Sequence, residues 1–265
     1  MRDSFRRDPS KLLVIAGPCV VESTDLLTTV ATHLQAICRD LPVQLVFKSS
    51  YRKANRTSAG TFQGIGDIAA LEMMREVGRD KGLPLLTDIH TDEEAAIAAE
   101  YVDVLQIPAF LSRQTSLLEA AASTGRVVNI KKGQFMAPED MAKAAKKVQE
   151  AGNNNVWLTE RGTTFGYHDL VVDFRSLVIM KQTGLPVIYD ATHSVQQPSL
   201  GAESGGHRAM IPALARAAAA VGIDGLFFET HPDPKNALSD AATQLPLTEA
   251  EGFLKSILAI WKLRQ

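Results

Sequence analysis

Eight short aliphatic runs, each followed by an amphipathic stretch, recur from one end of this chain to the other. That alternation limits the possible folds more than any other feature. The runs cover 12–16, 43–47, 84–87, 104–107, 127–130, 156–159, 187–189 and 225–228. They are nearly continuously apolar, as strands covered on both faces are, and lack the alternation of a half-exposed antiparallel sheet. Helical periodicity fills the gaps over 24–39, 67–81, 93–99, 115–124, 138–151, 169–183, 206–221 and 248–263. In the first of these, Leu27, Val30, Leu34 and Ile37 share one face. In the second, Asp67 reads as an opening cap and Gly82 as a C-terminal stop. Pro138 suits the start of the fifth.

Eight strand–helix units in 265 residues predict a closed (β/α)8 TIM barrel. An open doubly wound sheet is the alternative that pattern alone leaves standing. With no linker, low-complexity tract or break in composition, residues 1–265 read as a single catalytic domain.

The formal net charge of −2 argues against nucleic acid or an anionic membrane surface as a partner. The longest apolar candidate, Ile211–Val221, carries Arg216 and falls well short of the roughly 20 residues that span a bilayer. The charged N-terminus leads straight into a strand, without the apolar stretch of a signal peptide, so the expected location is cytoplasmic. In that reducing compartment Cys19 and Cys38 read as separate thiols. Cys38, beside Ile37 and Leu34 on an amphipathic helix, reads as core filler.

In a barrel, function gathers where the strands end. The strand exits here are polar throughout: Cys19 after the first, Lys48, Ser50, Lys53, Asn55, Arg56 and Thr57 after the second, Asp88 after the third. Gln106 and Arg113 follow with the fourth, Lys131 the fifth, Arg161 the sixth, His193 the seventh, Glu229 and Asp240 the eighth. One such lysine or arginine is ordinarily a solvated charge. Lys48, Lys53, Arg56, Lys131 and Arg161 on one rim would repel one another unless anions lie between them, which points to a small, strongly anionic substrate. Cys19, His193, Glu229 and Asp240 sit on strands that neighbour one another in a closed barrel. They are the ligand types that zinc, iron or manganese accept, and ligand type alone does not choose among these metals. A buried inert thiol is the plain alternative for Cys19, and a loop carboxylate for Asp240. His33, His90, His168 and His207 have no evident ligand partner, and His231 reads as structural or supporting. No GxGxxG follows the first strand, and neither a phosphate-binding GxxxxGK[ST] loop nor a GxSxG elbow occurs.

The runs IAGPCVVES (15–23), FKSSYRKANRTS (47–58), LTDIH (86–90), LQIPAFLSRQT (105–115), NIKKGQF (129–135), LTERGTTFGY (158–167), YDATHSVQQP (189–198) and FFETHPDPKNALSDAATQLPL (227–247) carry a resemblance. By them the chain resembles the 3-deoxy-D-manno-octulosonate 8-phosphate synthases over nearly its whole length. The resemblance implies a transferase of lipopolysaccharide precursor biosynthesis, joining phosphoenolpyruvate to arabinose 5-phosphate. It implies that Lys53, Lys131 and Arg161 hold the phosphate and carboxylate of phosphoenolpyruvate, with Lys48, Ser50, Gln106 and Asp88 lining that pocket. Asn55, Arg56 and Thr57 are then expected at the sugar phosphate, Thr57 standing where the family pattern has serine. Arg113 is expected to reach that phosphate from a neighbouring subunit of a homotetramer. Cys19, where metal-free members carry asparagine, resembles the metal-dependent branch and implies a divalent metal on Cys19, His193, Glu229 and Asp240. Lys53, Cys19, His193 and Asp240 are the residues it implicates in catalysis. The KANRTS run separates this reading from the related heptulosonate synthases, which use erythrose 4-phosphate and carry a KPRTS-like run. A non-catalytic phosphosugar-binding barrel is the alternative of a different class.

Overall fold

A computed structural model describes residues 5–54, 62–198 and 205–264. Eight parallel strands close into a barrel: β1 (Leu12–Gly17), β2 (Val43–Lys48), β3 (Leu85–Asp88), β4 (Val104–Ile107), β5 (Val127–Lys131), β6 (Val156–Glu160), β7 (Val187–Asp190) and β8 (Gly225–His231). Each strand pairs with the next. β8 returns to β1, Leu13 opposite Gly225 and Gly17 opposite Glu229, so no edge is left open. The helices α1 (Thr24–Cys38), α2 (Asp67–Lys81), α3 (Asp92–Ala99), α4 (Thr115–Ser123), α5 (Asp140–Glu150), α6 (Arg175–Lys181), α7 (Ile211–Val221) and α8 (Ala250–Trp261) follow the strands in turn.

Local chemistry explains most boundaries. Ser23 caps α1 by accepting from the Leu26 N–H, and Leu27, Val30, Ala31, Leu34 and Cys38 form its buried face. Burial pushes the Cys38 thiol up to about 12, as suits an inert core residue. Gly82 ends α2 in the left-handed conformation, φ 63°. Asp67 does not cap α2. It is the first helical residue, Gly66 stands at the cap, and the Asp67 carboxylate pairs with Arg52 instead.

Two helices begin five or six residues later than periodicity predicts. Leu170–Val171 pairs antiparallel with Thr163–Thr164, so α6 begins only at Arg175, whose N–H donates to the Asp173 side chain. Gly205–Gly206 pairs with Gln196–Gln197, and α7 starts at Ile211 with proline in its first turn. In the first of these, apolar residues that fit a helical stripe, Leu170 and Val171, pair as a strand instead.

The pleat sorts side chains into two cores. Outward positions pack under the helices in the larger one. Inward, Leu13, Ile15, Val46, Leu86, Val104, Val127, Trp157, Ile188 and Phe227 fill the lower barrel, each worth about 1.5–3 kcal/mol of burial. Phe5 closes the bottom, its ring edge-on to Trp157 at 5.7 Å. With the base plugged by hydrocarbon, polar chemistry is left to the opposite, C-terminal mouth.

Candidate active site

Two residues along the strands from that apolar layer, the inward faces of all but β1 turn polar. Val46 is followed by Lys48, Leu86 by Asp88, Val104 by Gln106, Val127 by Asn129 and then Lys131. Ile188 is followed by Asp190 and Phe227 by Glu229. The barrel thus lifts one ring of hydrophilic groups over a sealed floor.

One part of the ring gathers ligand-type groups. Cys19 Sγ, Glu229 and Asp240 offer donor atoms all within 4.8 Å of one another. His193 Nε2 faces them, 3.8 Å from Glu229 Oε1 and 3.9 Å from Asp240 Oδ2. Cys19 reaches this position because β1 ends at Gly17 and the chain runs on beside β2. The Ser50 N–H donates to the Cys19 carbonyl, and the Cys19 N–H to Gln244 Oε1 at 3.3 Å. Asp240 takes a left-handed backbone, φ 48°, that aspartate tolerates better than most side chains. Its carbonyl accepts from the N–H groups of Thr243 and Gln244, and Gln196 Nε2 donates to Oδ1 at 3.0 Å.

The electrostatics of this cluster suit a cation. Burial, with Asp240 and Glu229 adding to it, pushes the Cys19 thiol well up, and its S–H lies 2.9 Å from Asp240 Oδ2. Burial would raise the Asp240 carboxyl too, but Lys53, His193 and Cys19 outweigh it and hold it ionised. Glu229 Oε2 is fully buried with no hydrogen-bond partner among the described residues. A divalent cation would satisfy that oxygen and draw the thiol proton off. His193 is oriented to join such a ligand set. Its Nδ1 lies 2.8 Å from Asp190 Oδ2, which fixes the proton on Nδ1 and leaves the Nε2 lone pair facing the cluster.

The cations stand beside it. Lys48 Nζ donates to the Cys19 carbonyl at 2.9 Å and to Glu229 Oε1, Lys53 pairs with Asp240 at 3.5 Å, and Lys131 with Asp190 at 2.8 Å. Burial works against the Lys53 ammonium, but the groups around it, Glu229 and Asp240 among them, keep it protonated. Lys131 also lies 4.1 Å from the Phe227 ring centre. The mutual repulsion expected from the sequence is therefore met in part by the protein's own carboxylates. Arg161 differs. It is only 5% exposed and makes no ion pair among the described residues. Nη2 donates to Gln196, and Nη1 has no partner among the described residues.

A directional hydrogen-bond relay crosses the mouth. Thr159 donates to Asn129, Asn129 to Gln106, Gln106 to Asp88 Oδ1 at 2.7 Å, and Ser50 to Asp88 Oδ2 at 2.6 Å. Burial favours protonating Asp88, yet Lys48, Lys131 and Lys53 hold it well below the usual range, so it stays an acceptor. A second knot steadies the Tyr51–Lys53 segment: Glu94 accepts from Tyr51, from Arg52 and from the backbone and ring of His90.

Of the residues expected from the sequence, Cys19, Lys48, Ser50, Lys53, Asp88, Gln106, Lys131, Arg161, His193, Glu229 and Asp240 meet in this mouth. Asn55, Arg56 and Thr57 lie outside the described residues. Arg113 does not join them. It is exposed and lines a surface groove with Ser112, Met136, Asp140 and Lys143. Of three further residues of the mouth, Asp190 reads from the sequence as the polar exit of the seventh strand without a role, and Gln196 and Gln244 were not expected from the sequence. Asp190 carried a signal, the inward parity it shares with Lys131 and Glu229; the two glutamines carried none.

Residues 6–263 match the family model described as the DAHP synthetase I family. A 2-dehydro-3-deoxyphosphooctonate aldolase of Cyanothece sp. is 53% identical over 254 residues, covering 96% of this chain and 93% of that one. The protein of that name from Rhodopseudomonas palustris is 55% identical over 249 residues, 93% of this chain and 87% of the relative. That of Nitratidesulfovibrio vulgaris is 50% identical over 255 residues, 96% and 93%. Such identity over nearly complete chains places this barrel in the DAHP synthetase I family and, within it, among the 2-dehydro-3-deoxyphosphooctonate aldolases.

Proposed function

We propose that the protein condenses phosphoenolpyruvate with D-arabinose 5-phosphate and water, giving 3-deoxy-D-manno-octulosonate 8-phosphate and phosphate, a step toward lipopolysaccharide precursors. The observation that carries the reading is the meeting, in one mouth, of the cations Lys53, Lys131 and Arg161 with the Cys19, His193, Glu229 and Asp240 cluster. The relatives' shared name fits it. We read residues 1–265 as one cytosolic catalytic domain; no helix among the described residues is long and apolar enough to cross a membrane.

In the reaction C3 of phosphoenolpyruvate bonds to the aldehyde carbon, water adds at C2, and phosphate leaves by C–O cleavage. The obstacle is to hold two multiply charged anions in contact. Arg161 Nη1, Lys131 and Lys53 receive the phosphate and carboxylate of phosphoenolpyruvate, and fixing both reactants contributes on the order of 7–11 kcal/mol toward the barrier. Asp88, held ionised, with Gln106 and Ser50 donating to it, lines the phosphoenolpyruvate pocket. Cys19, His193, Glu229 and Asp240 would hold a divalent cation, zinc, iron or manganese, which would supply a fixed positive charge near the acceptor sugar. Lys48 is committed to Glu229 and the Cys19 carbonyl, so its part is to set the cluster's shape.

The exposed aromatics Phe110, Phe135, Phe165 and Tyr167 follow β4, β5 and β6. They support a homotetramer in which a neighbouring copy covers this side and brings Arg113 toward the sugar phosphate.

The test is phosphate release from phosphoenolpyruvate with arabinose 5-phosphate or erythrose 4-phosphate, before and after chelation and with metal restored. Activity with the five-carbon sugar alone, lost to chelator and regained with metal, is the expected result. Preference for erythrose 4-phosphate would assign the heptulosonate reaction instead. No turnover with either sugar would leave a phosphosugar-binding barrel. For the cation, an Asp190→Asn variant is expected to bind metal roughly 10–100-fold more weakly, because His193 loses the acceptor that sets its tautomer. Competition against a chelator of known affinity measures this, and an unchanged constant would remove His193 from the ligand set.

A further inference from the structure

Directly behind the rim, on the outward faces of β5 and β6, lies a polar cluster that the proposed reaction does not use. Ile130 and Leu158 point outward into the helix-covered core, so two residues later Lys132 and Glu160 do as well. Lys131 and Arg161, one residue along from each, point the other way into the mouth. Lys132 is 1% exposed. Its ammonium lies 3.6 Å from Glu160 Oε1, 3.1 Å from the Thr163 hydroxyl, and 3.4–3.5 Å from the carbonyls of Gly133, Met136 and Gly162. Glu160 in turn accepts from the Gly162 N–H at 2.6 Å and from the Ser176 hydroxyl of α6 at 2.6 Å.

We propose that Lys132, paired with Glu160, is a positioning residue that locks together the two strand ends from which Lys131 and Arg161 reach the substrate, and so sets how tightly the anionic substrate is held. The inference rests on the reading that Lys131 and Arg161 bind phosphoenolpyruvate. Three features support it. The oxygens around Lys132 come from both loops, 133–136 and 162–163, so one ammonium ties them together. The backbone joins there too, Lys132 N–H donating to the Thr159 carbonyl at 2.8 Å. Energetically the pair is a poor stabiliser, since desolvation cancels much of its attraction and a pair of apolar residues would serve as well. Burial pulls the Lys132 ammonium down, while Glu160 opposes it. What the pair supplies beyond an apolar filling is direction.

Lys132→Met alone strands the Glu160 charge and is expected to lower Tm. The decisive variant is Lys132→Met with Glu160→Gln, which removes both charges while the amide oxygen still accepts from Gly162. Calorimetric titration with phosphoenolpyruvate, on the metal-loaded protein, reads the outcome. The expected result is a Tm within about 5 °C of the parent, a phosphoenolpyruvate Kd raised roughly 10–100-fold, and an unchanged metal affinity. A merely structural role would move metal affinity and Tm together with Kd. An unchanged Kd in the folded double variant overturns the proposal. So does failure of that variant to fold, which would make the pair a requirement of the barrel. Lys131→Met is the control: if it leaves Kd unchanged, the site reading itself fails, and this inference with it.

Discussion

A Gly17→Ala variant is expected to melt roughly 8–16 °C below the parent and to lose most of its affinity for metal. A Cβ at position 17 would lie 1.9 Å from the Lys48 carbonyl oxygen, with the Lys48 carbon and nitrogen at 3.0 and 3.1 Å. All three are backbone atoms, so nothing can swing aside. β1 cannot shift away either, because Gly17 is opposite Glu229 on β8 while Ala16 is opposite Phe47 on β2. Relief requires prying open the barrel at its rim, a change in the range of about 4 kcal/mol, and each kcal/mol moves Tm by about 2–4 °C at this size. The same movement displaces Cys19, two residues on, and Lys48, which holds both the Cys19 carbonyl and Glu229. Scanning calorimetry with a metal titration checks both. A variant melting within about 2 °C of the parent would show that the two strands part freely, and the close approach would then explain nothing.

The GPC run was legible in the sequence as a strand exit, but the reason for its glycine was not, since it is a contact with a backbone thirty-one residues away. The same division runs through the molecule. The eight strands were legible because a strand buried on both faces must be apolar along its length. All but β4 ran one to three residues further than the aliphatic runs, mostly onto polar residues such as the inward Lys131, Asp190 and Glu229. The hairpin at 163–171 was not legible, since Val171 and Val172 fit a helical stripe equally well. At the site, the chemical types of Cys19, His193, Glu229 and Asp240 could be read from strand order. Their common focus depends on loop geometry, namely the left-handed Asp240 and its carbonyl turn onto Thr243 and Gln244. The partners of the lysines were hidden for a similar reason: Lys131 and Asp190 lie on strands that are not adjacent, and only the curvature of the barrel brings them together.

That pairing changes which cation matters most for an incoming anion. Lys48, Lys53 and Lys131 each meet a carboxylate, so much of their charge is already balanced. Arg161 is buried, unmatched by any carboxylate within ion-pair distance among the described residues, and carries an N–H with no partner. Burial pulls its guanidinium down, though no ordinary pH removes the proton. Asp190, Glu160 and Asp240 offset part of that desolvation from a distance, and a bound anion would supply the direct partner they do not.

Arg161→Met is accordingly expected to act in opposite directions on stability and activity. With a linear side chain of similar reach and no charge to bury, Tm should hold or rise by a few degrees, about 1 kcal/mol being worth 2–4 °C. kcat/KM should fall by about 10²–10³, the usual loss when one fixed donor to a developing anion is removed. Arg161→Lys should recover only part of this, because a point charge cannot both donate to Gln196 and present a second N–H in the same plane to phosphate or carboxylate. Asp190 stays ionised in either variant, since Lys131 and His193 still hold it, so metal affinity should not change. Steady-state kinetics, thermal melts and a metal titration on the same preparations separate the three quantities. A fall in Tm that tracks the fall in kcat/KM would sink the idea, for it would make Arg161 a structural residue whose unpartnered N–H has no ligand to meet.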